Sequence, residues 1–368
     1  MSNSHINLPM FLTIIIAFIS LIGLIVLHEL GHFVLAKKFG VKVEEFGIGI
    51  PPRIFGKKFG ETIYSLNLLP IGAFVKLYGE EKEIRDPRSF SSKPIWQRVL
   101  IVLAGVLSFW IISTILLSIV LTLGTAIAIE DEANHNLVNP KVQIVAIASG
   151  SPAEISGLKP GDTIKQLTIN NQQLSINKVK EVQEFTEVHK GEEIILTVQR
   201  GKEIFDVSLI PRVSPPEGEG AMGVALVRTA LKSYPWYQAP IQGILATANL
   251  TIAIIKGWVK VISLTIQGLP SGAQLMGPVG IFSLFSQVSQ LGIVYLLQFI
   301  AIISIYIALF NLLPIPALDG GKLLFLGIEA VRKKPVSPKT EQSITAIFFT
   351  LLIILMIWIT IKDIARIF

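Results

Sequence analysis

The feature that most constrains this chain is a set of long apolar runs with no charge in them. Leu8 to Leu27, Val99 to Ile129, Leu291 to Leu313 and Ile344 to Ile361 contain no Asp, Glu, Lys or Arg. A helix that crosses a bilayer needs about 20 such residues. With 51% hydrophobic and only 16% charged residues, the 368-residue chain is neither an ordinary soluble domain nor disordered. The first run reads as a crossing helix and not as a cleavable leader, because no Lys or Arg precedes Lys37 and the run is too long. Cysteine is absent, which removes disulfides, thiolate zinc sites, iron–sulfur ligation and a cysteine nucleophile.

A fifth stretch, Ile241 to Leu269, carries Gln242, Asn249, Lys256, Lys260 and Gln267. Its amphipathic composition suits a helix lying on the membrane or packed on the protein. Basic residues gather in two stretches: 37–98, with Lys37, Lys38, Lys57 and Lys58, and the loop holding Lys322, Arg332, Lys333, Lys334 and Lys339. The positive-inside rule puts both in the cytoplasm. Four crossings place them on one side and five do not. The prediction is a polytopic α-helical membrane protein with four transmembrane helices, both termini outside and residues 130–290 outside. The bilayer is the expected partner of this surface. No nucleic-acid partner is expected, since the basic residues flank the apolar runs.

Lys141 to Val213 alternates short apolar runs with turn signals. Val142 to Val145 reads as a strand. Ser151 caps a short helix with Pro152 at its first position. Gly157-Leu158-Lys159-Pro160-Gly161-Asp162 turns into a strand at Thr163 to Leu167. Ile194 to Gln199 and Phe205 to Ile210 form a hairpin about Arg200-Gly201-Lys202. Pro211 to Gly220 is a loop, and Met222 to Leu226 is a last strand. Gly-Ser-Pro-Ala followed by Gly-Leu-Lys-Pro-Gly-Asp resembles a PDZ domain of the circularly permuted bacterial type, present in one copy. That resemblance implies an α+β domain that takes a peptide or substrate segment by strand addition. A spacer that binds nothing fits the same pattern of strands.

Near the end of the first run stands His28-Glu29-Leu30-Gly31-His32. Positions i and i+4 share a helix face, so two imidazoles can grip one zinc ion while Glu29 reaches a bound water. A third ligand is needed. His135 and His189 fall in the external segment and His5 at the opposite end of the first run, so a carboxylate at the same depth is required. Asp319 is the sole acid between Ile281 and Ile328. It lies in Asn311-Leu-Leu-Pro-Ile-Pro-Ala-Leu-Asp319-Gly320-Gly321, where Pro314 and Pro316 break the helix, as is tolerated beside a cavity. Asn311 is a further polar group expected to face the site. Asp319 could instead only cap the helix that follows.

His-Glu-Leu-Gly-His, the Gly277-Pro278-Val279-Gly280 turn and Asn-Leu-Leu-Pro-Ile-Pro-x-Leu-Asp-Gly together resemble the site-2 protease family of intramembrane zinc metalloproteases, of the bacterial regulator-of-sigma-E type. The likeness covers nearly the whole chain. It implies one Zn2+ held by His28, His32 and Asp319, Glu29 as general base and Asn311 stabilising the transition state. Phe46 to Ile50 through Tyr64 to Leu68 resembles that family's membrane-reentrant β-loop, with Pro51-Pro52 as a turn. An edge strand built from Gly47, Ile48, Gly49, Tyr64, Ser65 and Leu66 would hold an extended substrate. The second run departs from the family's Ala-Gly-Pro-x-x-Asn, reading Ala104-Gly105-Val106-Leu107-Ser108.

The resulting organisation is a first transmembrane helix with the zinc motif (1–38), a cytoplasmic segment with the β-loop (39–96), a second transmembrane helix (97–129) and an extracytoplasmic PDZ domain (130–230). An amphipathic interfacial region (231–290), a third transmembrane helix with Asp319 (291–328), a basic cytoplasmic loop (329–342) and a fourth transmembrane helix (343–368) follow. The expected activity is site-2 cleavage of single-span membrane proteins, anti-sigma factors or remnant signal peptides, after a first extracytoplasmic cut. The expected location is the bacterial inner membrane, with the active site near the cytoplasmic side. A membrane-anchored PDZ scaffold or a metal transporter with a non-catalytic site are the alternatives. Glu29 separates them, since a structural site needs no acid between its histidines.

Overall fold

The computed structural model describes residues 10–80, 82–132, 138–201, 203–216, 218–269 and 276–367. His5, His135 and Lys202, with Glu217 of the 211–220 loop, lie outside them. The chain divides into two units, Met1–Val120 with Tyr237–Phe368, and Leu121–Trp236. In chain order the first unit begins with α1 (Met10–Lys38), β1 (Val43–Phe59), β2 (Thr62–Leu77) and α2 (Ile95–Leu123, whose last residues enter the second unit). The second unit holds β3 (Thr125–Ala128), β4 (Val138–Ile147), α3 (Pro152–Ile155), β5 (Thr163–Ile169), β6 (Gln172–Ser175), α4 (Val179–Val188), β7 (Ile194–Arg200), β8 (Glu203–Leu209) and β9 (Val224–Lys232). The first unit resumes with α5 (Ala239–Ile266), α6 (Pro278–Leu291), α7 (Ile293–Asn311), α8 (Asp319–Arg332) and α9 (Pro338–Ile367).

Among the described residues five helices, α1, α2, α5, α7 and α9, are long and apolar enough to cross a membrane. The addition to the expected four is α5. Its buried face carries Ala239, Gly243, Thr247 and Ile254, whereas Ile241, Ile244, Ile252, Val259 and Ile262 point outward. Polar and small residues inside with apolar residues outside is the pattern of a helix facing lipid. Two hydrogen bonds hold it along α2: Trp110 Nε1 donates to Thr251 Oγ1 at 3.1 Å and Thr114 Oγ1 to Thr247 Oγ1 at 3.1 Å. Ile254 packs with Ile305 and Leu309 of α7. So α5 belongs to the helical bundle instead of lying apart from it.

The helices approach closely where side chains are smallest. A Cβ on Gly31 would overlap the Ala104 carbonyl, and one on Gly243 would overlap Ser118 Oγ. Ser304 Oγ of α7 donates to the Phe109 carbonyl of α2 at 2.8 Å. At α6, Gly277 is the N-cap and Pro278 the first residue, and Asp363 Oδ2 of α9 accepts both the Gly277 and Gly280 N–H at 2.8 Å. A carboxylate at a helix N-terminus satisfies donors that the helix itself leaves open. Arg98 of α2 forms a two-pronged bridge to Glu329 of α8, at 3.0 and 2.5 Å.

Strands β1 and β2 form their own two-stranded sheet, folded so that the register doubles. Up to Ile50, β1 pairs with 69–77. Beyond Pro51-Pro52, Arg53 to Phe59 pairs with 62–67. Residues of the inner runs are therefore paired on both sides. Gly47 faces Ser65 and Phe74, Ile48 faces Leu66 and Ala73, Tyr64 faces Phe46 and Lys57, Ser65 faces Gly47 and Gly56, and Leu66 faces Ile48 and Phe55. The Gly49 carbonyl accepts from Asn67 Nδ2 at 3.2 Å. This corrects the expectation that Gly47, Ile48, Gly49, Tyr64, Ser65 and Leu66 form an edge strand. Gly47, Ile48, Tyr64, Ser65 and Leu66 already pair on both sides, the Gly49 carbonyl is taken by Asn67, and the outer runs are 53–59 and 69–77.

In the second unit a seven-stranded sheet runs β3-β9-β4-β5-β7-β8, with β6 on β5. Val142, Ile144, Ile164, Leu167, Ile194, Leu196 and Val198 form its core. Ser151 Oγ caps α3 by accepting the Glu154 N–H at 3.2 Å, with Pro152 at the first turn. The fully buried Asp162 takes Arg200 Nε and Nη2, each at 2.7 Å, and the Lys159 N–H at 2.9 Å. Thus the 157–162 turn is tied to the β7–β8 hairpin. Strand β3 covers only Thr229 to Lys232 of β9, so Val224 to Val227 pair on one side alone among the described residues. Asp131 caps α4 through the Val179 and Lys180 N–H groups.

Candidate metal centre

Helix α1 brings His28 and His32 to one face, a turn apart, and both are buried. Asp319 is the first residue of α8 and comes to the same point. Its Oδ2 lies 3.3 Å from Nε2 of His28 and 3.3 Å from Nε2 of His32, and the two Nε2 atoms are 3.2 Å apart. Among the described residues these three form a group that could hold a metal ion. Tetrahedral zinc with bonds of about 2.0–2.1 Å sets its ligand atoms about 3.3–3.4 Å apart, which this triangle matches. Among the described residues the buried Asp319 Oδ2 has no hydrogen-bond donor, an arrangement a cation would complete. The N-cap of α8 is Leu318, and Asp319 is the acid of its first turn.

Each ligand is oriented from outside the triangle. His32 Nδ1 bonds to the Ile101 carbonyl of α2 at 2.9 Å. The His28 ring stacks on Phe109 with centroids 4.8 Å apart and planes inclined by 16°. A Cβ on Gly105 would overlap His32 Nε2. Gly105 therefore permits the ring to sit where it does, although the family's following Pro and Asn are absent. Gly320 and Gly321 let the start of α8 press on the Leu313 and Ile315 carbonyls, which seats Asp319 against the broken end of α7.

A cavity of about 1010 Å³ opens from this point, lined by His28, Glu29, Asn311 and Asp319. The sequence-derived residues therefore share one site. Asn311 Nδ2 donates to the Ile307 carbonyl at 3.0 Å, and an amide nitrogen carries a second N–H. Sequence reasoning missed Glu80 and Lys322, which line the same cavity and pair with each other. It also missed Ile101, whose carbonyl carries no sequence signal at all. Lys322 had one available signal, its position three residues after Asp319. His189 lies in the second unit, bonded to Glu192 at 2.9 Å.

The sequence profile of Peptidase family M50 matches residues 16–355. The chain belongs to this family of site-2 type peptidases. A Clostridium acetobutylicum protein named as a zinc metalloprotease is 35% identical over 356 residues, with 96% of this chain and 98% of that one aligned. The regulator of sigma-W protease RasP of Bacillus subtilis is 29% identical over 442 aligned positions, covering 98% and 100%. The zinc metalloprotease RasP of Shouchella clausii is 29% identical over 439 positions, covering 96% and 99%. This M50 peptidase is a zinc-dependent intramembrane metalloprotease with several helices long and apolar enough to cross a membrane. Family membership answers the scaffold and transporter alternatives.

Proposed function

We propose that His28, His32 and Asp319 hold the zinc ion of this peptidase, with Glu29 as its general base, and that it hydrolyses a peptide bond of a single-span membrane protein. The observation that carries this reading is the 3.2–3.3 Å triangle of ligand atoms opening, with Glu29, on one cavity. Zinc bound there would supply Lewis acidity, lowering the pKa of a water and polarising the scissile carbonyl. Glu29 takes the proton from the attacking water and returns it to the leaving nitrogen. The second N–H of Asn311 donates to the developing oxyanion.

A helical substrate hides its carbonyls in its own hydrogen bonds, so it must open into an extended form before attack. The run 69–77 of β2 is an outer strand that leads through Glu80 into the cavity, and an unwound substrate adds to it. Four crossings remain the preferred count. Ile101 and Phe109 of α2 meet His32 and His28, and α7 ends beside the same histidines, so α7 runs parallel to α1. The chain between α2 and α7 then starts and ends on one side. That side is extracytoplasmic, given the basic loops at the opposite ends, and α5 does not add a net crossing.

The unit 121–236 would be a PDZ domain, whose half-open strand Val224 to Val227 takes a peptide or screens substrates by the size of their external part. Substrates would be anti-sigma factors or remnant signal peptides already cut once outside. The deciding experiment compares purified wild type with Glu29→Gln on a single-span substrate and measures zinc in both. The expected result is full zinc in each and a loss of at least about 100-fold in cleavage for the variant. Equal cleavage by both would overturn the assignment of Glu29.

A further inference from the structure

We propose that Lys322 is a positioning residue of this peptidase, tying the helix that carries Asp319 to the strand that leads into the cavity. The proposal rests on the reading of the site given above. Lys322 lies three residues after Asp319, on the same face of α8, and lines the same cavity. Its ammonium pairs with Glu80 Oε1, 242 residues away in the chain. Glu80 stands three residues beyond Leu77, where β2 ends.

The rest of α8 is held by other means. Its first turn presses on the Leu313 and Ile315 carbonyls through Gly320 and Gly321, and Glu329 binds Arg98 of α2. Those contacts join helix to helix and helix to its own preceding loop. Leu323 and Leu326 of α8 also pack in one apolar cluster with Val75 and Leu77 of β2, and the Lys322–Glu80 pair is the polar tie beside that packing. A substrate strand laid on residues 69–77 is thereby registered against Asp319 by that packing together with the ion pair. The Lys322 side chain is 46% exposed, on the cavity wall, and Glu80 is 22% exposed. Such a pair is accessible enough to be rebuilt with other residues. Reaction rates are sensitive to misplacement of about 1 Å at the reacting centre. Loss of the tie should therefore lower turnover while the metal stays bound.

The test uses the purified full chain, a single-span substrate, separate kcat and KM, and zinc content. Lys322→Met and Glu80→Gln are each expected to lower kcat about tenfold, with KM and zinc unchanged. Lys322→Arg should keep most of the wild-type rate. The reversed pair, Lys322→Glu with Glu80→Lys, should recover about half of it or more, as expected of two coupled residues. Wild-type rates in both single variants would overturn the proposal. So would zinc loss in either, or a reversed pair no faster than the singles. Glu29→Gln run alongside separates the two failures. Full activity there sinks the reading of the site and this proposal with it, whereas its loss with unaffected Lys322 variants sinks this proposal alone.

Discussion

His32 Nδ1 bonds to the Ile101 carbonyl at 2.9 Å, and because a carbonyl only accepts, Nδ1 carries the ring proton. The lone pair of Nε2 is thereby turned toward His28 and Asp319. A hydrogen bond from one ring nitrogen commonly fixes the tautomer of a metal-binding histidine in this way. Here the acceptor is a main-chain group of α2, so the seating of His32 of α1 depends on the register of its neighbour.

Removal of a ligand should empty the site. Zinc content is expected to fall from about one ion per chain to near zero in His32→Ala and in Asp319→Ala, since three protein ligands are the usual minimum for catalytic zinc. His189→Ala, which alters a residue paired with Glu192, should keep its zinc. Elemental analysis of the purified proteins decides it, and zinc retained in Asp319→Ala would refute the triangle as the metal site.

Gly105→Ala should act on the metal although Gly105 offers no ligand atom. Its Cβ would overlap His32 Nε2, so the ring must move or the helices must part. Zinc affinity should fall by about 10- to 100-fold, the usual cost of disturbing the groups that orient a ligand. Zinc retention in chelator competition measures this, and retention equal to wild type would show that the ring has room to shift.

Arg98→Ala should destabilise the helical unit by about 3 kcal/mol, because it strands the Glu329 carboxylate in a largely buried position. Replacing both residues with Met should cost less than the single change, since no charge is then left unpaired. Thermal unfolding in detergent compares the two. A double variant less stable than Arg98→Ala would contradict this account.

Asp162→Ala should loosen the 121–236 unit. It leaves the Lys159 N–H without its acceptor and Arg200 with the Gly157 carbonyl alone, at a cost of about 1–2 kcal/mol. Limited proteolysis of the full chain should show faster cutting within that unit. Unchanged cutting would mean that water replaces the carboxylate at little cost.

The amino-acid sequence by itself determined the elements whose information is local. Uncharged runs specify helices that must leave water. Spacing of four puts His28 and His32 on one face, and Glu29 between them supplies a base. Ser151-Pro152 starts α3 where expected, with the Ser151 side chain as its cap. Even Asp319 could be found, because an acid is costly at membrane depth and this one is alone in its stretch.

Tertiary structure decided what depends on partners far along the chain. The outer runs of the β1–β2 sheet are residues 53–59 and 69–77, because a doubled register gives the inner runs partners on both sides. Local alternation cannot reveal a second partner. Helix α5 reads as amphipathic, but its polar face turns inward to Thr114 and Trp110. Periodicity identifies a face without saying which solvent it meets. Gly105 under His32, the Ile101 carbonyl on its ring and Glu80 on Lys322 are contacts across 69 to 242 residues, and only the packed chain brings them together.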